Sequence, residues 1–274
     1  MTYRYHCQIP AANGYNTLPV NPCQLLDFAL LRLEAGATWS GETGDREVLA
    51  VILGGTAEFT VGDQKFAGVG GRANVFSGRP HSVYLPAGST VTIEASTPVE
   101  IALPSAPSDL AAEPYVIEPA RVASGRWGAA NFGRTYHQIL TEASQPDLPA
   151  RRLIVGETFT PSGNWSTYPP HRHTVDALPG EAAHEELYYF RVNPGDGFGI
   201  SRVYTDDGYE ENYTVRNHGM QLMPAGYHTV VSAPGYTTYY LWALAGTQRT
   251  QGALEDRDLA WVGRSAPLLR DLGH

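Results

Sequence analysis

The stretch from Trp165 to His173 reads WSTYPPHRH, and it places two histidines two positions apart among residues that favour β-strands. A strand sends alternate side chains to the same face, so His171 and His173 point one way while Arg172 points the other. Two imidazoles on one face of a strand are suited to hold a metal ion together. The pattern therefore predicts a strand of a β-barrel that carries part of a metal site.

Two later segments supply further candidate ligands. Residues 184–190 read HEELYYF, and alternation puts Glu185 and Glu186 on opposite faces without deciding which face is internal. His228 follows the turn sequence PAGY, which ends one strand and starts another. Three imidazole nitrogens and a carboxylate suit Zn²⁺, Mn²⁺, Fe²⁺ or Ni²⁺, and no thiolate narrows the choice. We predict one divalent ion per chain, with zinc or manganese ahead of iron or nickel.

The same blocks resemble the ligand motifs of the cupin superfamily and, more narrowly, the 5-deoxy-glucuronate isomerase family of inositol breakdown. The resemblance covers most of the chain and is densest from 165 to 250, where PPHRH, EELYYFR, GFGISRVYTDD and PAGYH occur in order. Cupins usually place the ligating Glu only a few residues after the second His. Here Glu186 lies thirteen positions after His173, which departs from the general pattern but suits the narrower family. In that family the ligating Glu directly precedes the aliphatic-Tyr-Tyr run, so the resemblance implies the ligands His171, His173, Glu186 and His228.

Length and composition agree with the fold that this resemblance implies, an all-β bicupin of two tandem jelly-roll barrels (double-stranded β-helices). The 274 residues include 29 Gly, 20 Pro and 16 Tyr, which suits short strands joined by tight turns. Residues 47–53 and 239–244 predict buried strands, and residues 256–271 predict a short helix or tail. We predict a first barrel at residues 1–115 and a second at 116–274, with a linker that starts within residues 103–113.

An internal repeat supports two barrels. The sequence HSVYLPAG from His81 resembles HTVVSAPG from His228, and Glu47 precedes a strand-like run as Glu186 does. Residues 38–46 contain no histidine, so the first barrel lacks the His-x-His pair. Two groups are too few for a closed protein site. We therefore predict a first barrel without metal, in which Glu47 and His81 are structural or inter-barrel groups.

The overall composition excludes several classes of partner. A net charge of −9 argues against a nucleic-acid partner, and no apolar run approaches the ~20 residues needed to span a bilayer. The first residues lack a signal-peptide pattern, and nothing indicates that Cys7 and Cys23 pair. We expect a cytoplasmic enzyme with no membrane partner, and a homo-oligomer is compatible with the sequence.

The resemblance implies an aldose–ketose isomerase that converts 5-deoxy-D-glucuronate to 2-deoxy-5-keto-D-gluconate. Its sugar-acid substrate requires a counter-charge for the carboxylate, and the matched blocks offer Arg191, Arg202 and Tyr204 as substrate-binding candidates. The sequence does not identify the base that moves the proton. The candidates for this base lie in or near the matched segments: Glu185, Tyr240, Tyr204, Asp206, Asp207 and His218.

Three other functions stay open at this point. A related uronate isomerase of pectin breakdown shares the fold and the reaction type, although its motif places Glu close behind His-x-His. An iron cupin with the same ligands could act as a dioxygenase, which would need O₂. A cupin that only binds a sugar would need no complete ligand set, so the set found here favours catalysis.

Overall fold

The computed structural model describes residues 4–273, which form four antiparallel β-sheets and one α-helix. The first eleven strands are β1 (His6–Gln8), β2 (Gly14–Thr17), β3 (Asp27–Leu33), β4 (Thr38–Glu42), β5 (Arg46–Gly54), β6 (Thr56–Val61), β7 (Gln64–Gly70), β8 (Ser82–Leu85), β9 (Thr90–Ala95), β10 (Val99–Pro107) and β11 (Tyr115–Ile117). The strands that follow are β12 (Ala123–Trp127), β13 (Arg134–Leu140), β14 (Ile154–Thr160), β15 (Trp165–Arg172), β16 (His184–Asn193), β17 (Gly199–Tyr204), β18 (Glu210–Val215), β19 (Gly219–Met223), β20 (Tyr227–Ser232), β21 (Thr237–Gly246) and β22 (Leu254–Glu255). Single 3₁₀ turns occur at Pro119–Arg121 and Ala130–Phe132, and the helix α1 spans Ala260–Asp271.

The four sheets form two barrels. In the first barrel a six-stranded sheet (β11-β8-β5-β10-β3-β2) lies against a four-stranded sheet (β4-β9-β6-β7). In the second barrel a seven-stranded sheet (β1-β19-β16-β21-β14-β13-β12) lies against a five-stranded sheet (β18-β17-β20-β15-β22). The predicted all-β bicupin is therefore confirmed, and so is the predicted C-terminal helix. Within residues 4–273 no helix is long and apolar enough to cross a membrane.

The boundary between residues 115 and 116 stays a prediction, and the strand pairing adds detail around it. β1 pairs with β19 of the second barrel, and β11 pairs with β8 of the first barrel. Residues 103–107 of the segment predicted to hold the linker start belong to β10, which continues to Pro107, so a linker can start only after Pro107. Leu103 is buried and lies opposite Ala29 of β3, so a pattern of Pro, Ser and Ala here marks a strand rather than a loop.

The largest sheet of each barrel is buried on both faces. In β5, Leu49 and Val51 pack between the barrels, whereas the alternate residues Ala50 and Ile52 pack inside the first barrel. Strand β16 follows the same rule, with residues 187 and 189 between the barrels and residues 188 and 190 inside the second barrel. Burial on both faces explains why these strands are continuous apolar runs without polar alternation.

The hydrogen bonds of Glu47 confirm its predicted role between the barrels. Its buried carboxylate belongs to β5 of the first barrel, yet it accepts hydrogen bonds from the backbone N–H groups of Arg151, Arg152 and Leu153 at 2.6–2.9 Å. The hydroxyl of Tyr84 donates a further bond at 2.7 Å. Four donors satisfy a carboxylate that would otherwise be costly to bury.

A second buried carboxylate, Glu157 of β14, lies between the barrels and is fully shielded from solvent. The guanidinium of Arg72, from the first barrel, donates two hydrogen bonds to it at 2.6 and 3.1 Å. The hydroxyl of Tyr239 donates at 2.8 Å, and His137 Nδ1 lies at 3.1 Å. Burial alone would raise the pKa of Glu157, but the charge of Arg72 and the hydrogen bond with His137 lower it below its usual range. The carboxylate is therefore ionised and paired.

Removal of one partner of this pair is predicted to destabilise the protein strongly. Arg72→Met leaves Glu157 buried without its counter-charge, and we expect the free energy of unfolding to fall by about 3–5 kcal/mol in a denaturant titration. The exposed pair of Arg121 and Asp147 provides the control, because Arg121→Met is expected to cost less than about 1 kcal/mol. Equal losses in the two variants would contradict a special role for the buried pair.

Candidate metal centre

Four side chains meet inside the second barrel with their ligand-type atoms within 4.8 Å of one another: His171, His173, Glu186 and His228. The Nε2 atoms of His173 and His228 each lie 2.9 Å from the Oε2 atom of Glu186. The rings of His171 and His228 are 4.9 Å apart between centroids. Three of the four residues are buried and His171 is half-buried. Such a group could hold a metal ion.

Three neighbouring strand segments position these side chains. His171 lies near the end of β15 and stands directly opposite His228 of β20 in the pairing register. A bulge in β15 between Ser166 and His171 adjusts this register. Glu186 lies in β16, on the face that points into the barrel together with residues 188 and 190. Strand alternation is therefore what directs the ligand-type atoms to a common point.

The long spacing between the second histidine and the glutamate is accommodated by a closed loop, residues 174–183. The N–H of His184 donates to the carbonyl of His173 at 2.9 Å, which joins the two ends of the loop. Inside the loop, the carboxylate of Glu181 accepts bonds from the N–H groups of Thr174 and Val175 at 2.7 and 3.1 Å. The loop leaves the barrel and returns to the same place, so His173 and Glu186 meet as they would with a short connection.

The hydrogen bonds around the group fit a metal-ligand role. The Nδ1 atom of His173 lies 2.7 Å from the carbonyl oxygen of His184, so this nitrogen is placed to donate and Nε2 faces the centre. The Nε2 atom of His228 is buried and makes no hydrogen bond of acceptable geometry within the described residues. A buried nitrogen that faces a carboxylate without such a bond fits a site in which both groups bind the same metal ion.

The electrostatics of the group support the same role. Burial opposes ionisation of Glu186, but the nearby His228 and the hydrogen bond with His173 lower its pKa well below the usual range. Burial and the neighbouring His228 and His173 lower the pKa of His171 well below its usual value. Burial would also lower the pKa of His173, yet the hydrogen bond and charge of Glu186 raise it. An ionised carboxylate beside a neutral imidazole at position 171 is the protonation state that metal ligation needs.

The group lies at a cavity of about 420 Å³ whose wall is mostly aromatic and apolar. Trp127, Phe132, Tyr168, Tyr188, Tyr240 and Trp242 form the aromatic part of the wall. The charged and polar side chains on the wall are those of Arg134, Thr158, Thr167, His171, His173, His184, Glu186, Gln251 and Glu255. Helix α1 covers part of the cavity with Gly263 and Ala266. A pocket of this size and lining suits a small organic molecule.

Two of the candidates for the base, Glu185 and Tyr240, lie in different parts of the structure. Glu185 points away from the cavity, and its carboxylate accepts hydrogen bonds at 2.7–3.0 Å from three N–H groups of the first barrel, those of residues 24–26. Tyr240 lies on the cavity wall, and its hydroxyl is hydrogen-bonded to that of Ser166. The structure thus brings Glu186 and Tyr240 to the centre and leaves Glu185 at the barrel interface.

The structure does not bring the substrate-binding candidates Arg191, Arg202 and Tyr204 to this cavity. Arg191 shares the interface face of β16 with Glu185 and pairs with Glu100 of the first barrel. In β17 the inward positions are 201 and 203, so Arg202 and Tyr204 point outward. There the guanidinium of Arg202 lies over the Tyr204 ring, 4.2 Å from its centroid.

The remaining candidates for the base also lie elsewhere. Asp206 pairs with Arg172, and Asp207 accepts a bond from Thr205, both at the outer surface. His218 Nδ1 lies 2.8 Å from the Tyr189 hydroxyl at the barrel interface. His184 lines the cavity, but its two nitrogens lie 3.2 and 2.9 Å from backbone carbonyls of residues 182 and 248.

Two charged residues of the cavity were missed from the sequence. Arg134 opens β13, and Glu255 ends the two-residue strand β22, which pairs with β15 at His171. Neither residue lies in a recognisable motif, and each is far along the chain from the ligand motifs. Only the closing of the barrel brings them to the site.

Fold and site together define the class of this protein: a bicupin whose second barrel carries a candidate centre for one metal ion. The family model described as KduI/IolB matches residues 11–262. The chain belongs to the KduI/IolB family.

Individual relatives agree with this assignment. The chain is 41% identical over 244 residues to a 5-deoxy-glucuronate isomerase of Geobacillus kaustophilus, which covers 88% of this chain and 87% of the relative. A crystal structure of an IolB-like protein from Salmonella typhimurium LT2 superposes with a TM-score of 0.89 at 30% identity, covering 95% of this chain and 99% of the other. An oxalate decarboxylase of Bacillus subtilis shares the fold alone, with a TM-score of 0.64 at 13% identity over 93% of this chain and 80% of the other.

Substitution of the four grouped residues is predicted to remove bound metal. We expect alanine at any one of these positions to weaken metal binding by at least about tenfold, measured by elemental analysis after dialysis. The four variants are His171→Ala, His173→Ala, Glu186→Ala and His228→Ala. His81→Ala is the control and should keep the metal content of the unsubstituted protein. Metal that is kept in Glu186→Ala and lost in Glu185→Ala would contradict the assigned carboxylate.

Proposed function

We propose that this chain is a metal-dependent aldose–ketose isomerase that converts 5-deoxy-D-glucuronate to 2-deoxy-5-keto-D-gluconate in myo-inositol breakdown. The observation that carries the proposal is a cavity of sugar size with three imidazoles and an ionised carboxylate converging on one point. Family membership supports the choice of reaction, because relatives that share 36–41% of their residues with this chain bear the name of that isomerase.

We propose His171, His173, Glu186 and His228 as the ligands of one divalent ion, zinc or manganese before iron or nickel. The donor set of three nitrogens and one oxygen is compatible with each of these metals. A bound ion would supply Lewis-acid stabilisation of negative charge on a substrate oxygen. The ligand set leaves room for such an oxygen on the cavity side, since the cavity reaches three of the four ligands.

Two phenols of the cavity act as hydrogen-bond donors in this proposal. Burial raises the pKa of Tyr188 well above its usual value, and burial also raises the pKa of Tyr240. Both hydroxyls therefore stay protonated at neutral pH. A protonated phenol on the wall can donate to a hydroxyl or carbonyl oxygen of the sugar and hold the chain of carbons in place.

We assign the proton transfer between the two carbons to Glu255. Aldose–ketose conversion removes a proton from the carbon next to the aldehyde and returns one to the aldehyde carbon, which needs a base that is free to accept it. Among the described residues that line the cavity, the carboxylates are those of Glu186 and Glu255. Glu186 is held by two imidazoles, whereas Glu255 is exposed and lies across the strand pair from His171.

Glu255→Gln is predicted to lower kcat by about 10²- to 10⁴-fold while metal content stays constant. The amide keeps the size of the side chain but does not accept the proton. Glu210→Gln is the matched control, because that exposed carboxylate pairs with Arg202 at the outer surface, away from the cavity, and it should keep kcat. Exchange of the substrate C2 proton with ²H₂O, followed by NMR, reports the step directly; exchange at the unsubstituted rate in Glu255→Gln would assign the base elsewhere.

Anaerobic incubation of metal-analysed protein with 5-deoxy-D-glucuronate tests the reaction itself. We expect NMR to show the ketose without added O₂, and we expect chelation to abolish turnover and re-addition of the metal to restore it. Turnover that survives complete metal removal would contradict the proposed role of the metal.

The same experiment separates the alternative functions. A requirement for O₂ would indicate a dioxygenase, and preference for the pectin-derived uronate would indicate the related isomerase. Binding without turnover of either sugar would indicate a sugar-binding protein. A cytoplasmic location and a homo-oligomeric state remain predictions from the sequence.

A further inference from the structure

Arg134 is a cavity residue whose positive charge has no carboxylate partner among the described residues. Its guanidinium is the single Arg or Lys group among the described residues that line the cavity. Its Nε atom is buried and has no hydrogen-bond partner within the described residues. Its Nη1 atom reaches the carbonyl of Phe132 at a long 3.4 Å. Within residues 4–273 no carboxylate forms an ion pair with it.

A guanidinium with a buried Nε atom and no counter-charge is expensive, and the same protein shows how such a group is normally satisfied. Arg72, which is more deeply buried than Arg134, donates two hydrogen bonds to Glu157. A charge that is removed from water requires a counter-charge and hydrogen-bond acceptors for its N–H groups. Among the described residues Arg134 has no counter-charge, and the Phe132 carbonyl is its single acceptor, so its geometry calls for an anionic group from outside.

The surroundings of Arg134 direct it toward the cavity and the candidate metal centre. The indole of Trp127 lies on one side, with the guanidinium carbon 5.5 Å from the ring centroid. Arg134, His171 and Tyr240 all line this one cavity. A ligand in the cavity would therefore contact the guanidinium and lie near the metal centre at once.

We propose that Arg134 binds the carboxylate of the substrate and thereby selects sugar acids over neutral sugars. The identity of the sugar rests on the proposed function, whereas recognition of a carboxylate rests on the cavity alone. The planar guanidinium can hold a carboxylate through two parallel hydrogen bonds, which fixes orientation as well as position. With the acid end held at Arg134, the rest of the molecule lies in the same cavity that His171, His173 and Glu186 line.

Arg134→Gln tests the proposal kinetically in the metal-loaded protein. We expect kcat/KM for 5-deoxy-D-glucuronate to fall on the order of 100-fold, mainly through KM, while metal content stays constant. Arg134→Lys should recover part of the loss, because it keeps the charge without the paired geometry. Arg126→Gln is the matched control, since Arg126 is an exposed arginine on the neighbouring strand β12. An unchanged KM in Arg134→Gln would overturn the proposal.

Stability separates substrate binding from a structural role. Because Arg134 has no counter-charge among the described residues and makes one long hydrogen bond, Arg134→Gln should leave the thermal midpoint unchanged or raise it. An arginine that held the fold together would show the opposite, a lower midpoint in Arg134→Gln. A lower midpoint together with an unchanged KM would assign the residue to the fold.

Equilibrium binding separates this proposal from the proposed function. Isothermal titration with D-glucuronate and D-glucose needs no turnover and compares an acid with its neutral counterpart. We expect the unsubstituted protein to prefer glucuronate and Arg134→Gln to lose that preference. This result would support Arg134 as the carboxylate site even if 5-deoxy-D-glucuronate is not isomerised. No preference in the unsubstituted protein, or a preference that persists in Arg134→Gln, would overturn the proposal.

Discussion

Three carboxylates fix the two barrels against each other, because each belongs to one barrel and accepts hydrogen bonds from the other. Glu47 of the first barrel is bound by N–H groups of residues 151–153, and Glu157 of the second barrel is bound by Arg72. Glu185 of the second barrel is bound by N–H groups of residues 24–26. Buried carboxylates tolerate little displacement of their donors, so these bonds specify one orientation of the barrels in addition to the apolar packing between them.

The candidate metal centre depends on this orientation through a single strand. In β16, Glu185 faces the first barrel and the next residue, Glu186, faces the metal centre. A shift of the strand by one residue would exchange the two carboxylates and every other side chain between the faces. The bonds to Glu185 therefore hold Glu186 in register, so the first barrel contributes to the candidate site from outside the cavity.

Much of the fold and the group of ligand-type residues could be predicted from the sequence because strand alternation is local. It predicted the shared direction of His171 and His173, and the repeat of His81 in His228 predicted two barrels. Alternation could not choose between Glu185 and Glu186, because both faces of β16 are buried and neither is polar. The family resemblance made that choice. Arg134 and Glu255 could not be predicted, because β13 joins the sheet of Glu186 and Tyr240 only through β14 and β21, and β22 pairs with the distant strand β15.

A sequence motif does not show which face of a strand is internal, and this explains why three substrate-binding candidates lie away from the cavity. Arg191, Arg202 and Tyr204 were named because they fall in the densest part of the resemblance. Their faces in β16 and β17 point to the barrel interface and to the outer surface. A matched block identifies a strand, whereas the side of the strand decides what each residue can touch.

The pairing of β1 with β19 has a consequence for how the molecule is assembled. Residues 6–8 are synthesised before either barrel, yet their partners at 219–221 follow more than two hundred residues later. Until then β1 has no partner strand, and β19 without β1 would present an open sheet edge of the kind that associates with other chains. The second barrel is therefore completed by a strand that is synthesised before the first barrel. This order couples the folding of the second barrel to that of the first.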